Sequence, residues 1–378
     1  MAVPEDVIWP LDPHTEAKHR VLAGYYDALY PILTNKFPRL TLFEGYSGPG
    51  VYRDGEPGSP VIAIQKLLDH PAVAHRRVRF VFVEERSDRL ERLRVEVSTH
   101  FPKLPPETKV DFRLGTCEEE WEQALNQAGA WGMPIFANLD PFGPGVPYAL
   151  VERLAKNVSS EPLITFPSDW LRRFATLTDI PAGDVQFGST KWRTVAQLDG
   201  PEEKEMFLVE EYRRTLARAG FTHTVPFKLS DEGGRSFYLI FGTGHRRGLE
   251  RMKDSMWKTD PVKGLSFRDP RDPNQGVLDF GSPTPDLSPL ISIVTSQLQT
   301  EGISGMLVEE LKDFAVLNTG FRGPHVTTAL TTMLTQKVIT RDPVKGRLTS
   351  QIRIRQNEPE YASASRPTSW SRASDLLP

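Results

Sequence analysis

Five short apolar runs, at residues 40–43, 79–83, 110–114, 134–137 and 163–166, alternate with stretches whose apolar residues fall at helical spacing. Strands separated by helices argue for one parallel sheet with right-handed crossovers. A leading helix is expected over 18–33, where Val21, Leu22, Tyr25 and Leu29 share a face. Ser59 followed by Pro60 reads as the N-cap and first residue of a helix running to about Leu68. Leu90, Leu93 and Val97 mark a third helix, and residues 118–128 and 147–155 two more.

The rhythm breaks over 168–200, which reads as an insertion, and resumes with a helix over 202–219 and two late strands, 222–227 and 236–241. Five βα units closed by a hairpin-like pair are the strand economy of a Rossmann-like methyltransferase sheet. The expected fold class is therefore α/β, with helices on both faces of that sheet. The proline-, aspartate- and glycine-rich stretch 268–289 reads as a linker closing a first domain, 1–267. A small domain over 290–355 and a Ser/Pro/Ala-rich tail, 356–378, expected to be disordered, follow it.

In the small domain Val326, Ala329, Leu330, Met333 and Leu334 form one helical face, preceded by another helix over about 304–316. Extended residues on either side of a turn at 343–346 follow, the order of a winged helix-turn-helix. Between 304 and 355 there are eight Lys/Arg against four Asp/Glu, whereas the whole chain carries a net charge of −3. Any nucleic-acid surface is thus a local patch, with Arg322, His325, Lys345 and Arg347 as its candidate contacts at the helix start and wing. A winged helix also serves as a protein-docking module, and its second helix here carries mostly threonine on the polar side.

Composition excludes several classes. One cysteine, Cys117, leaves no disulfide framework and no Cys-rich zinc site, and the histidines show no metal-ligand spacing. There is no charged-then-apolar leader and no apolar run near the roughly 20 residues that span a bilayer. A cytoplasmic protein without a membrane segment or a metal is expected.

The first strand ends in Glu44-Gly45-Tyr46-Ser47-Gly48-Pro49-Gly50. Glycines at a strand end bring backbone close to a ligand at the carboxyl edge of the sheet. The dinucleotide pattern fails because Arg53 stands where the third glycine belongs, and a P-loop fails because Val51 and Tyr52 follow Gly50. Glu44 would repel a pyrophosphate but attract a cationic ligand such as S-adenosylmethionine, with its ammonium and sulfonium. The second strand ends in Glu84 and Glu85, which suit ribose hydroxyls, and the third in Gly115-Thr116-Cys117, where adenine is held in such folds. A glycine-rich turn alone is an ordinary strand–turn–helix; two acidic strand ends make a donor pocket the better reading.

At the fourth strand end, Asn138-Leu139-Asp140-Pro141-Phe142-Gly143 is the candidate reactive edge. Methyltransferases acting on exocyclic amines carry a D/N-P-P-Y/F motif here, whose polar side chain accepts from the amine while the ring stacks on the base. This chain lacks the second proline and brings the aromatic one residue early, so Asp140 as a turn cap and Phe142 as packing stay open. The loop 51–58 delays the next helix and offers Tyr52, Arg53 and Glu56 as acceptor contacts, or is a plain surface loop.

The segments KHRVLAGYYDALYPIL, FEGYSGPGVYRDGEPGSPVIAI, FVEE, NLDPFG, FPSDWLRRF and GHRRGLERMKDSMWK together resemble the three-Cys-motif partner proteins (TcmP), over roughly 18–355. The resemblance implies a methyltransferase-like domain with a C-terminal helix-turn-helix and a radical-SAM-like protein partner. It implies no settled substrate, and Glu44 stands where many relatives have aspartate.

The leading expectation is an S-adenosylmethionine-dependent methyltransferase acting on DNA or RNA, at a base nitrogen. In that reading Glu44, Gly45, Tyr46, Ser47, Gly48, Gly50, Glu84, Glu85, Thr116 and Cys117 bind the donor, and Asn138, Asp140, Pro141 and Phe142 serve the acceptor. The alternatives are a non-catalytic relative that binds nucleic acid and the radical-SAM-like partner, and a small-molecule methyltransferase whose winged helix dimerises. Asp169, Arg172 and Arg173 are expected either near the site or on a solvated helix face, and Cys117 as a buried thiol.

Overall fold

The computed structural model describes residues 4–73, 76–177, 181–231, 233, 235–264, 266–268 and 284–357. Most of the expected linker and nearly all of the expected tail lie outside these residues. The chain divides into two compact units, Met1–Asp286 and Leu287–Pro378.

The first unit begins with α1 (Pro13–Lys36), β1 (Leu40–Glu44), α2 (Ser59–Leu68), β2 (Val78–Glu84), α3 (Ser87–His100) and β3 (Thr108–Leu114). It continues with α4 (Cys117–Gln127), β4 (Ile135–Leu139), α5 (Tyr148–Lys156) and β5 (Glu161–Phe166). The expected insertion folds as two short helices, α6 (Ser168–Phe174) and α7 (Ala182–Phe187), and a 3-10 turn at Lys191–Gln197. Then come α8 (Pro201–Ala219), β6 (His223–Ser230), β7 (Ser236–Thr243), α9 (Arg246–Thr259) and β8 (Ser266–Arg268).

The sheet order is β3-β2-β1-β4-β5-β7-β6-β8. The first five strands run parallel and β7 lies antiparallel to both β5 and β6. This order, with its reversed late strand, is that of a Rossmann-like methyltransferase sheet. The hairpin-like pair was legible in the sequence; β8, three residues parallel to β6, was not.

β1, β4 and β5 are buried along their whole length, as parallel strands covered on both faces must be. On one face α1 packs against α2 and α9. The Ser255 hydroxyl of α9 donates to the Val21 carbonyl of α1 at 2.6 Å. The other face holds a core cluster in which Phe166 stacks on Tyr212 at 4.6 Å and Phe187 on Trp192 at 5.7 Å. The insertion thus contributes core rather than a free loop. α1 starts five residues before the apolar periodicity does, because the buried residues of its first turns are His14, Ala17 and Lys18.

Growth of the sheet reverses at β1, which pairs with β2 on one side and β4 on the other. In open α/β sheets the crevice at such a switch point is where ligands bind. Glu44 and Asn138 are paired across it, so the loops leaving β1 and β4 diverge from one place.

The second unit comprises α10 (Ser288–Glu301), a 3-10 turn (Gly302–Ser304), β9 (Met306–Leu307), α11 (Val308–Asn318), α12 (Gly323–Thr335), β10 (Ile339–Asp342) and β11 (Arg353–Gln356). Its antiparallel sheet has the order β10-β11-β9. Val326, Ala329, Leu330 and Met333 of α12 are buried with Leu290, Val294 and Leu298 of α10.

Candidate active site

A cavity of about 240 Å³ opens at the switch point, lined by the loops after β1, β2, β3 and β4. The loop after β1 is bracketed by its neighbours: Gly45 N–H donates to the Asn138 carbonyl at 3.3 Å, Ser47 N–H to the Val83 carbonyl at 2.9 Å. Gly48 has φ 64°, a left-handed conformation that side chains disfavour. Its N–H donates to Glu84 Oε2, 2.9 Å away. A backbone bridge between Val51 and Pro57 folds 51–58 into a tight excursion before α2. Of its three candidate contacts only Tyr52 lines the cavity; Arg53 reaches Asp6 at 3.5 Å, and Glu56 accepts from the Asp54 N–H at 3.2 Å.

Twelve of the fourteen expected donor and acceptor residues line the cavity; Glu44 and Asn138 do not. Glu44 lies below its floor, 1% exposed, where its Oε2 accepts from the Ser59 hydroxyl at 2.6 Å. Burial pushes its carboxyl up to about 8, against the opposing pull of Ser59 and Asn138. It is therefore a buried carboxyl that favours its protonated form, rather than the carboxylate beside a cationic donor that the sequence suggested.

Glu84 also titrates above its usual range, because burial outweighs the N–H groups of Arg86 and Gly48 that hydrogen-bond it. Each of its oxygens accepts one backbone amide, Oε1 from Arg86 at 3.0 Å and Oε2 from Gly48. Glu85, one residue on, is exposed at the cavity edge. Thr116 caps α4, its hydroxyl oxygen accepting from Glu119 N–H at 3.3 Å. Cys117 is buried and burial drives its thiol well above the ordinary value, which suits packing and not nucleophilic attack. Tyr46 crosses from the first loop to the fourth, donating to the Gly145 carbonyl at 2.7 Å.

Asp140 is ion-paired with Lys18 of α1. Burial alone would raise its carboxyl, but the Lys18 ammonium, with a Thr165 hydrogen bond, holds it below the ordinary range. Its side chain keeps 27% exposure, toward a cavity it helps to line, whereas that of Lys18 keeps 8%. Next to the pair, His19 is pushed down to about 3 by burial and by Lys18, so its ring is neutral. That ring lies 5.6 Å from Tyr52.

Three contributors escaped the sequence reading. Trp9 lines the cavity and sits edge-on to both Tyr52 and Phe142, each 5.9 Å away. Arg89, buried, stacks its guanidinium on Trp9 at 4.8 Å. Lys18 supports Asp140 from behind. Only Lys18 left a signal: it is three residues before Val21 and four before Leu22, a lysine on the apolar face of its helix.

Asp169, the other acid singled out after a strand, is tied to Arg172 at 2.6 Å and Arg173 at 3.0 Å, away from the cavity lining. In the second unit Lys345 and Arg347 are exposed, whereas His325 is 5% exposed and its Nε2 is 2.8 Å from Arg322 Nη2. Among the described residues no cluster of His, Cys, Asp and Glu is placed to hold a metal ion, and no helix is long and apolar enough to cross a membrane.

No family model and no curated protein matches the chain. Among solved structures it is similar to Trm1 from Pyrococcus horikoshii in complex with S-adenosyl-L-methionine, at 12% identity and a TM-score of 0.38, covering 96% of this chain and 95% of that one. A spermidine synthase with the transition-state analogue AdoDATO is similar at 10% identity and a TM-score of 0.35, covering 71% and 72%. EvdMO1 is similar at 12% and 0.33, over 61% of this chain and only 42% of its own length. Likenesses at these TM-scores carry no residue role to this chain.

Proposed function

We propose that this protein is an S-adenosylmethionine-dependent methyltransferase whose acceptor is a nucleic acid, at a base nitrogen. The observation that carries the donor reading is the charge of the cavity. Its lining holds four carboxylates, Glu84, Glu85, Glu118 and Asp140, against the Arg89 guanidinium in the lining and the Lys18 ammonium behind Asp140, a negative balance of two. Such a cavity favours a ligand bearing an ammonium and a sulfonium and disfavours nucleotide phosphates.

The cradle fits that donor. Gly48 turns a bare α-carbon toward open space, where an added Cβ would meet nothing nearer than the Trp9 ring at 3.8 Å. Glu84 and Glu85 stand where ribose hydroxyls are taken in related folds, and Thr116 and Cys117 where adenine is. When bound, the donor supplies a methyl group already activated by its sulfonium, so the protein's work is alignment and handling of the acceptor proton. Asp140, kept ionised by Lys18, accepts a hydrogen bond from an acceptor N–H at neutral pH, and Phe142 beside it offers a ring face for a base.

The second unit supports a polymeric acceptor. Its order of helix, strand, two helices and hairpin is consistent with a winged helix, and its cations outnumber its acids two to one over 304–355. The second reading is a non-catalytic relative that binds nucleic acid. What favours it is that both Glu84 oxygens already accept backbone amides.

Calorimetric titration of S-adenosylmethionine into the wild type and Glu85→Ala tests the donor site; a wild type that takes up no donor rejects the enzyme reading. Transfer of labelled methyl to duplex DNA, to RNA or to a small-molecule extract then identifies the acceptor class. Donor binding with no labelling, together with a shifted nucleic-acid probe, favours the non-catalytic reading.

A further inference from the structure

The segment before α1, residues 4–11, is tied to the rest of the first unit. Residues 4–11 adopt no helix or strand and none of them is fully buried, yet one of them, Trp9, lines the cavity. Two arginines from the β2–α3 junction fasten them through main-chain carbonyls. Arg86 Nη1 donates to Glu5 O at 2.7 Å, and Arg89 Nη2 donates to Pro4 O and, at 3.1 Å, to Asp6 O. From the loop after β1, Arg53 N–H donates to Trp9 O at 2.9 Å.

These bonds leave the Trp9 indole between Arg89, on the side of the expected ribose carboxylates, and the Tyr52 and Phe142 rings on the acceptor side. Trp9 is also the side chain nearest the bare face of Gly48. One residue therefore spans the boundary between the two halves of the cavity, and it belongs to a segment that is neither helix nor strand.

We infer that residues 4–11 are a strap that closes the cavity through Trp9, and that ligand exchange requires its release from Arg86 and Arg89. This rests on the methyl-donor reading. The construction suits a cover that opens. Most of its fastenings are hydrogen bonds to neutral carbonyls, and the Arg53–Asp6 ion pair is exposed, so water replaces them when the strap lifts. Segments with few buried apolar contacts open locally while the sheet stays folded. A closed strap sets Trp9 over the reacting groups and excludes water from them, as mobile covers do in other transferases.

The test is the rate at which bound S-adenosylmethionine is released, measured by filter binding after dilution into excess S-adenosylhomocysteine. Trp9→Ala and deletion of residues 1–11 should raise the release rate by about tenfold or more. Arg86→Ala, which leaves every cavity-lining side chain in place, should raise it several-fold, and Trp9→Phe should stay near the wild type. Without ligand, the Arg53 amide should exchange its hydrogen much faster than the amides of β1, and donor should slow it. Wild-type release rates in both Trp9→Ala and Arg86→Ala would overturn the strap while leaving the donor site intact. A wild type that binds no donor would instead overturn the methyl-donor reading and this one with it.

Discussion

Lys18 of α1 and Asp140 at the end of β4, 122 residues apart in sequence, form an ion pair at the wall of the cavity. The pair joins the leading helix to the reactive edge, so its loss affects folding and chemistry together. Removing one partner of a buried pair leaves the other desolvated and uncompensated. With Asp140 27% exposed, Lys18→Met should cost about 2–3 kcal/mol at pH 7 in urea unfolding. Because Lys18 holds the Asp140 carboxyl low, the stability it contributes is full above the unfolded value and fades as pH falls through the folded one. The gap between variant and wild type should therefore shrink in acid. A gap that is constant with pH would mean the pair is not the cause.

Glu44 and Glu161 work in the opposite sense. Burial raises Glu44 to about 8 and Glu161 to about 7, the latter despite hydrogen bonds from Thr243 at 2.6 Å and Tyr25 at 2.5 Å. In each case the native state keeps a proton that the unfolded chain releases, so stability falls as pH climbs from the ordinary carboxyl range toward the folded value. The slope contributed by one such group is at most about 1.4 kcal/mol per pH unit. Glu44→Gln should flatten the profile between pH 5 and pH 8 by roughly that slope, and should bind donor as the wild type does. Unchanged curvature in the variant would place the titration elsewhere.

The alternation of strands and helices specified the parallel sheet, and the glycines and strand-end acids located most of the cavity lining, because both features are local. What the sequence could not display was depth. Glu44 and Glu84 are both acids at strand ends, yet Glu44 faces α1 and Ser59 while Glu84 reaches the cavity; their register across the sheet decides it. Trp9 lies in a segment with no periodicity, so nothing local ties it to Tyr52 or Phe142. The buried polar start of α1 hid for a related reason: His14 and Lys18 occupy core positions without apolar side chains.

Asp140→Asn distinguishes catalysis from binding. The amide keeps the size of the carboxylate but accepts a proton poorly, so methyl transfer should fall roughly 100-fold or more. If Asp140 serves the acceptor, as proposed, donor affinity should change little. Equal losses in donor affinity and turnover would assign Asp140 to donor binding instead, and thermal melting beside the wild type controls for the unpaired Lys18.

The turn between β10 and β11 of the second unit carries one cation tied to its backbone and two that are exposed. Arg341 donates to the carbonyls of Pro343 at 3.0 Å and Gly346 at 2.8 Å, and to that of Arg347, so its guanidinium holds the turn between β10 and β11. Lys345 and Arg347 are exposed and form no side-chain ion pair among the described residues, which leaves them available to phosphate. If they contact a nucleic-acid backbone, Lys345→Ala and Arg347→Ala should each reduce the slope of log affinity against log salt by about 1, with little change in thermal stability. Arg341→Ala should instead lower the stability of this unit and weaken binding only through the disordered turn. Salt slopes identical to the wild type in both exposed variants would remove the wing from the nucleic-acid interface and favour its use as a protein-docking surface.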